Sequence, residues 1–113
     1  MMKTDKVMLK ISDTQFEKLD KLVDYFKSDG AKVIRRGIYL ISTLELDIKE
    51  FKDTGNKNKH FTLRVLEEEL NILDKLSIKW GVKKQDILRY GIEIQYKILE
   101  DLKEYEKKLL TGK

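Results

Sequence analysis

The chain has no cysteine, no proline and a single histidine among its 113 residues. Without cysteine there is no disulfide frame, thiol nucleophile or cysteine-based zinc site. Without proline no helix is kinked by a pyrrolidine ring. One histidine, with acids scattered along helical faces, offers poor material for an enzyme, a metal centre or a cofactor site, so none is expected. Long apolar runs are also missing, which argues against a membrane span. The opening MMKTDKVM lacks the apolar core of a signal segment. The expectation is a soluble, cytoplasmic protein with no small-molecule substrate.

Charge is plentiful. Charged residues make up 39% of the chain, with a net charge of +4. That excess permits an anionic partner without requiring one. Its placement says more: KNKHFTLR (57–64) holds Lys57, Lys59 and Arg64 and no acid.

Sliding the chain on itself by 54 residues aligns it without a gap. Leu9 meets Leu63, the run LDKL (19–22) meets LDKL (73–76), and Arg35 meets Arg89. Gly37-Ile38 meets Gly91-Ile92, and Asp47, Lys49 and Glu50 meet Asp101, Lys103 and Glu104. These are eleven identities, where such a composition gives roughly four by chance. Apolar positions agree further: Val7/Phe61, Ile11/Val65, Phe16/Leu70, Phe26/Trp80, Val33/Ile87 and Ile34/Leu88. The reading is two copies, 1–52 and 60–113, joined by a polar linker at 53–59. Units of about fifty residues bury little surface alone, so pairing two of them is a common remedy.

Each copy opens with an alternating strand, Val7–Ile11 or Phe61–Val65. A helix of about four turns follows. Ser12 and Gln15 form a capping box on the first; Glu67, Glu68 and Glu69 suit the positive end of the second. Phe16, Leu19, Leu22, Val23 and Phe26 mark its inner face in copy one, and Leu70, Leu73, Leu76 and Trp80 in copy two. Breaks at KSDG (27–30) and WGVKK (80–84) precede a second helix starting near Ala31 or Gln85. Gly37 and Gly91 let those second helices cross closely, and Arg35 and Arg89 read as ion-pair partners.

One strand per copy needs a partner for its backbone groups. Pairing the two as an antiparallel ribbon predicts a mainly α fold with a short two-stranded sheet. Val7, Leu9, Ile11, Phe61, Leu63 and Val65 then cover the helices. Lys6, Met8, Lys10, His60, Thr62 and Arg64 face outward. A two-stranded ribbon fits the major groove of B-DNA.

Strand, helix, helix, with HFTLRV leading into LEEELNILDKLSIKWGV and KKQDILRYGI, resembles the ribbon-helix-helix family of DNA-binding regulators. The resemblance covers residues about 6–46 and 60–100, as a tandem pseudo-dimer fused in one chain. Such fused forms resemble small regulators of archaeal viruses. It implies a sequence-specific double-stranded DNA-binding transcription regulator, associated with DNA in the cytoplasm (a host's, if viral). It also implies that Lys6, Met8, Lys10, His60, Thr62 and Arg64 contact bases. Phosphate contacts then fall at the start of each second helix, on Gly30, Ala31 and Lys32 and on Lys83, Lys84 and Gln85. Copy one departs from the pattern, with Lys27 at the usual glycine position and with Asp29, which can instead cap the helix, beside the expected phosphate. In copy two, Leu66 stands where the family often has proline.

The second helices look longer than the family core. Ile41, Leu44, Ile48 and Phe51, and then Ile98, Leu102, Tyr105 and Leu109, follow three- and four-residue steps within stretches read as helix. Such stripes pack either on the domain's own helices or on another chain, making an oligomer on DNA. A linker of about seven residues spans at most roughly 25 Å, which leaves exchange of repeats between two chains open. A rival function is an antitoxin or protein-interaction module that uses the amphipathic C-terminal helix.

Overall fold

The computed structural model describes residues 4–51 and 55–110, with only the backbone of Glu50. The expected boundary at 52/53 and the start of the linker lie outside the described residues, as do both termini. Strand β1 (Thr4–Ile11) leads into helices α1 (Asp13–Phe26) and α2 (Gly30–Thr43), then a short 3-10 turn (Ile48–Glu50). Strand β2 (Lys59–Leu66) leads into α3 (Glu67–Trp80) and α4 (Lys84–Leu110).

The strands pair antiparallel within one chain, with Lys6 opposite Arg64, Met8 opposite Thr62 and Lys10 opposite His60. Pairing runs from Thr4–Leu66 to Ile11–Lys59. The strands therefore outlast the alternating segments, because backbone bonding continues past the last apolar side chain. Leu9, Ile11, Leu63 and Val65 are buried and Val7 and Phe61 half-buried, so the inner face is the one the alternation predicts.

Helix ends follow local chemistry. The Ser12 hydroxyl accepts from Gln15 N–H at 3.2 Å while Gln15 Oε1 accepts from Ser12 N–H at 3.0 Å, which completes the capping box. Leu66 has no such acceptor. Only the return half forms before α3, where Glu69 Oε1 accepts from Leu66 N–H at 2.7 Å. After α1, Lys27 takes the left-handed conformation (φ 53°), as Gly81 does after α3 (φ 63°). A lysine there costs roughly 1 kcal/mol more than glycine.

Leu19, Leu22, Val33, Ile34, Ile38 and Leu73 join Ile87, Leu88 and Ile92 in the core. One aromatic expectation needs correcting. Phe26 is 38% exposed, because the last turn of α1 overhangs the core and its ring instead lies under the Arg36 guanidinium at 4.3 Å. Trp80 is half-buried and packs against the core, edge-on to Tyr90 at 6.5 Å.

The crossing of α2 and α4 is as close as the glycines suggest. A Cβ on Gly37 would lie 3.0 Å from Gly91 Cα and 3.0 Å from Gln95 Nε2. Gln95 Nε2 donates to Val33 O at 2.8 Å across the same seam.

Beyond this crossing the two stripes part company. The first is not one long helix: α2 stops at Thr43, and Glu45 turns left-handed (φ 52°). Leu44 is exposed, whereas Ile48 is buried and Phe51 packs on Tyr90 at 5.3 Å. Tyr90 Oη donates to Asp47 O at 2.9 Å. Folding back in this way buries Ile48 and half-buries Phe51, which a straight helix would carry outward, and it returns the chain toward β2. The second stripe stays on α4, but every residue from Glu100 to Leu110 is exposed. Its root, Ile98 and Leu102, lines a groove with Tyr25 and Phe26 of α1 and Leu40 of α2, and beyond Leu102 the stripe leaves the domain's own helices. Among the described residues no helix is long and apolar enough to cross a membrane.

Candidate nucleic-acid interface

The outer face of the ribbon gathers six predicted residues, Lys6, Met8, Lys10, His60, Thr62 and Arg64, all exposed. Their parity along the strands puts them there, since Leu9, Ile11, Leu63 and Val65 hold the opposite face to the core. Cross-strand register divides the face into two unlike ends. One end has Lys6 beside Arg64, the other Lys10 beside His60, and Met8 and Thr62 sit between them.

Lys6 opposite Arg64 is a like-charge cross-strand pair, an arrangement that costs stability. No acid shares this face between Lys6 and Lys10 or between His60 and Arg64. Arg64 Nη1 donates to the Thr4 hydroxyl at 3.4 Å, a long bond that leaves most of the guanidinium fork in solvent. Met8 is 56% exposed, an apolar group at the centre of a cationic strip.

The helix starts differ from the simple expectation. Asp29 Oδ1 accepts from Lys32 N–H at 2.8 Å, capping α2. Asp86 Oδ2 accepts from Lys83 N–H at 3.2 Å. A carboxylate of the chain therefore already occupies one backbone donor at each predicted phosphate anchor. Gly30 and Ala31 are half-buried and the Lys32 side chain is exposed. Lys83 is exposed as well, while Lys84 pairs with Asp74 at 2.5 Å.

Gln85 is drawn into the scaffold. Its Oε1 accepts from Lys10 N–H at 3.1 Å and from Arg89 Nη2 at 3.1 Å. Arg89 Nε donates to Lys10 O at 2.7 Å, and its Nη1 meets Asp86 at 2.9 Å. These bonds fix the edge of β1 at Lys10 to the first turns of α4. Lys83, two residues before Gln85, stands at the same end of α4 as the groups that hold Lys10. Arg35 is held too, with its Nε 2.9 and 3.0 Å from the two oxygens of Glu69. Both arginines are ion-pair partners, as expected.

Three scaffold residues were not singled out from sequence for these roles. Glu69 is fully buried, although it reads as one of three acids on a helix dipole. Its signal was its place three residues after Leu66, equivalent to Gln15 after Ser12. Gln95 and Tyr90 carried no local signal for these roles, since Val33 and Asp47, which they bond, are far away in sequence. Among the described residues no group of three His, Cys, Asp or Glu side chains could hold a metal ion.

Comparison with protein-family models, with curated proteins and with solved structures finds no match to this chain.

Proposed function

We propose that this chain is a sequence-specific double-stranded DNA-binding transcription regulator that inserts its two-stranded ribbon into the major groove, with its halves acting as a fused ribbon-helix-helix pseudo-dimer. The observation that carries the reading is the ribbon's outer face: Lys6 set against Arg64, Lys10 at the other end and no acid between them, on a strand pair whose inner face turns to the core. A fold gains nothing from setting Lys6 against Arg64, whereas a polyanion does. Arg64, Lys6 and Lys10 can donate to guanine O6 and N7, Thr62 can bond a base edge, and Met8 can touch a thymine methyl.

The pseudo-dimer has support of its own. Met8 and Thr62 are 54 apart in sequence and also opposite in the ribbon; Gly37 and Gly91 are 54 apart and also meet at the helix crossing. Positions equivalent in the repeat therefore coincide at two points, as they do on a two-fold axis. Each half-site is then read by one residue from each strand, Lys6 with Arg64 and Lys10 with His60. A symmetric dimer reads a palindrome; this ribbon reads unlike halves. Lys83 and Lys32 supply phosphate contacts through their side chains more than through the helix ends, given the Asp29 and Asp86 caps.

Arg64→Ala and Lys83→Ala separate the roles. Arg64→Ala is expected to flatten preference at one base pair, losing about 1–3 kcal/mol on the preferred duplex and little elsewhere. Lys83→Ala is expected to weaken every duplex by a similar factor and to lower the salt dependence by about one ion. Competition binding on matched and single-substituted duplexes measures both. Equal losses on all duplexes for Arg64→Ala would remove it from base reading.

A further inference from the structure

The apolar positions of α4 run Ile98, Leu102, Tyr105, Leu109 at steps of four, three and four, the spacing of a coiled-coil seam. The seam starts at Gly91 and Gln95, where α2 covers it, and then runs into solvent: Leu102 is 44% exposed, Tyr105 61% and Leu109 61%. A projecting helix of about ten residues is marginal without packing. At its root the stripe opens into an apolar groove of about 250 Å³, lined by Tyr25, Phe26, Leu40, Ile98, Leu99 and Leu102.

We infer that a second copy of this chain covers the stripe, its α4 running antiparallel. Charge selects both the occupant and the direction. With Leu102 and Leu109 at a positions and Ile98 and Tyr105 at d, the flanking g residues are Asp101 and Lys108, and the flanking e residues are Leu99 and Glu106. A parallel, in-register pair sets Asp101 beside the partner's Glu106, twice, like against like. The antiparallel pair places Leu102 against the partner's Tyr105 and Ile98 against the partner's Leu109. Asp101 then lies beside the partner's Lys108, twice, and Glu106 lies beside the partner's Leu99. The stripe is thus complementary to itself in one direction only.

The contact is isologous and closed, so it stops at two chains. It also brings the partner's Leu109 to the apolar groove at the root of α4, which the stripe alone does not fill. The inference is independent of what the ribbon binds.

The absence of native cysteine makes a direct test possible. Leu102→Cys and Tyr105→Cys are made on separate full-length chains and oxidised alone and mixed. Cross-linked dimer is expected only in the mixture. Dimer from either variant alone indicates parallel pairing and overturns the proposal, as does its absence from the mixture. Light scattering on the unmodified chain is expected to give twice the chain mass at tens of micromolar. Asp101→Lys is expected to weaken the dimer at least tenfold, and adding Lys108→Asp to restore it. A monomer mass throughout, or a double variant as weak as the single one, contradicts the inference.

Discussion

Glu69→Ala is expected to destabilise the fold by about 3 kcal/mol. The carboxylate is fully buried, with Arg35 Nε 2.9 and 3.0 Å from its two oxygens. One of those oxygens also takes the Leu66 N–H that opens α3. Removing it leaves a guanidinium without its anion and a helix start without its cap. Breaking a fully buried pair costs about 3–5 kcal/mol. The Arg35 side chain is 32% exposed, so water recovers part of that and the lower end applies. Glu69→Gln keeps an acceptor for Leu66 while losing the charge, so about half the loss is expected. Tyr39 responds as well: partial burial first, and the Glu69 carboxylate second, hold its phenol above the ordinary tyrosine value. In Glu69→Ala its titration should move back down. Urea unfolding measures the stability change, with the exposed Glu68→Ala staying within about 0.5 kcal/mol of the parent. Equal midpoints for the two alanine variants would show that Glu69 does not hold α2 to α3.

Gly37→Leu is expected to cost about 3 kcal/mol or more from overpacking, against about 1 kcal/mol gained in helix propensity. A Cβ there meets Gly91 Cα at 3.0 Å and Gly91 C at 3.2 Å. These are backbone atoms, which cannot rotate away, so α2 and α4 must separate. Gly30 is the control. Its Cβ would meet only Leu19 Cδ2, at 3.7 Å, so Gly30→Ala should be close to neutral. Because α4 also holds β1 through Gln85 and Arg89, separation of the helices should loosen the ribbon too. Slowed amide exchange at Lys10 should then be lost in Gly37→Leu and kept in Gly30→Ala. If Gly37→Leu unfolds at the same urea concentration as the parent, the close crossing is not a feature of the folded chain.

The parts of this fold that were legible in sequence are those decided by near neighbours. The alternation in HFTLRV fixes which strand face is buried. Ser12 and Gln15 cap α1 three residues apart, and KSDG and WGVKK supply the breaks. The glycines at 37 and 91 were legible as a pair because one register relates them. Most of what escaped depends on contacts between distant residues. The stripe through Leu44, Ile48 and Phe51 has helical spacing, but the chain turns after Thr43 to place Phe51 on Tyr90, a ring supplied from another helix. Phe26 has core spacing, and only the reach of the core shows that its turn lies beyond it. Glu69 looks like its neighbours Glu67 and Glu68 until Arg35 is brought against it. The outer residues of the ribbon were legible as a set. Their pairing was not, because it depends on register: Lys6 with Arg64, and Lys10 with His60. Register also turned two unlike strands into two unlike ends, which sharpens the expectation for a DNA site. At the helix starts, Asp29 was legible as a cap, whereas the bond from Lys83 to Asp86 was not.

Selection from a randomised duplex library, with the purified chain near physiological salt, tests the central claim most directly, since bound fractions mean little without the ionic strength. The account predicts enrichment of a short motif with unlike halves, one set by Arg64 with Lys6 and the other by His60 with Lys10. Recovery of no motif, with binding that only fades as salt rises, would contradict it and leave phosphate attraction alone.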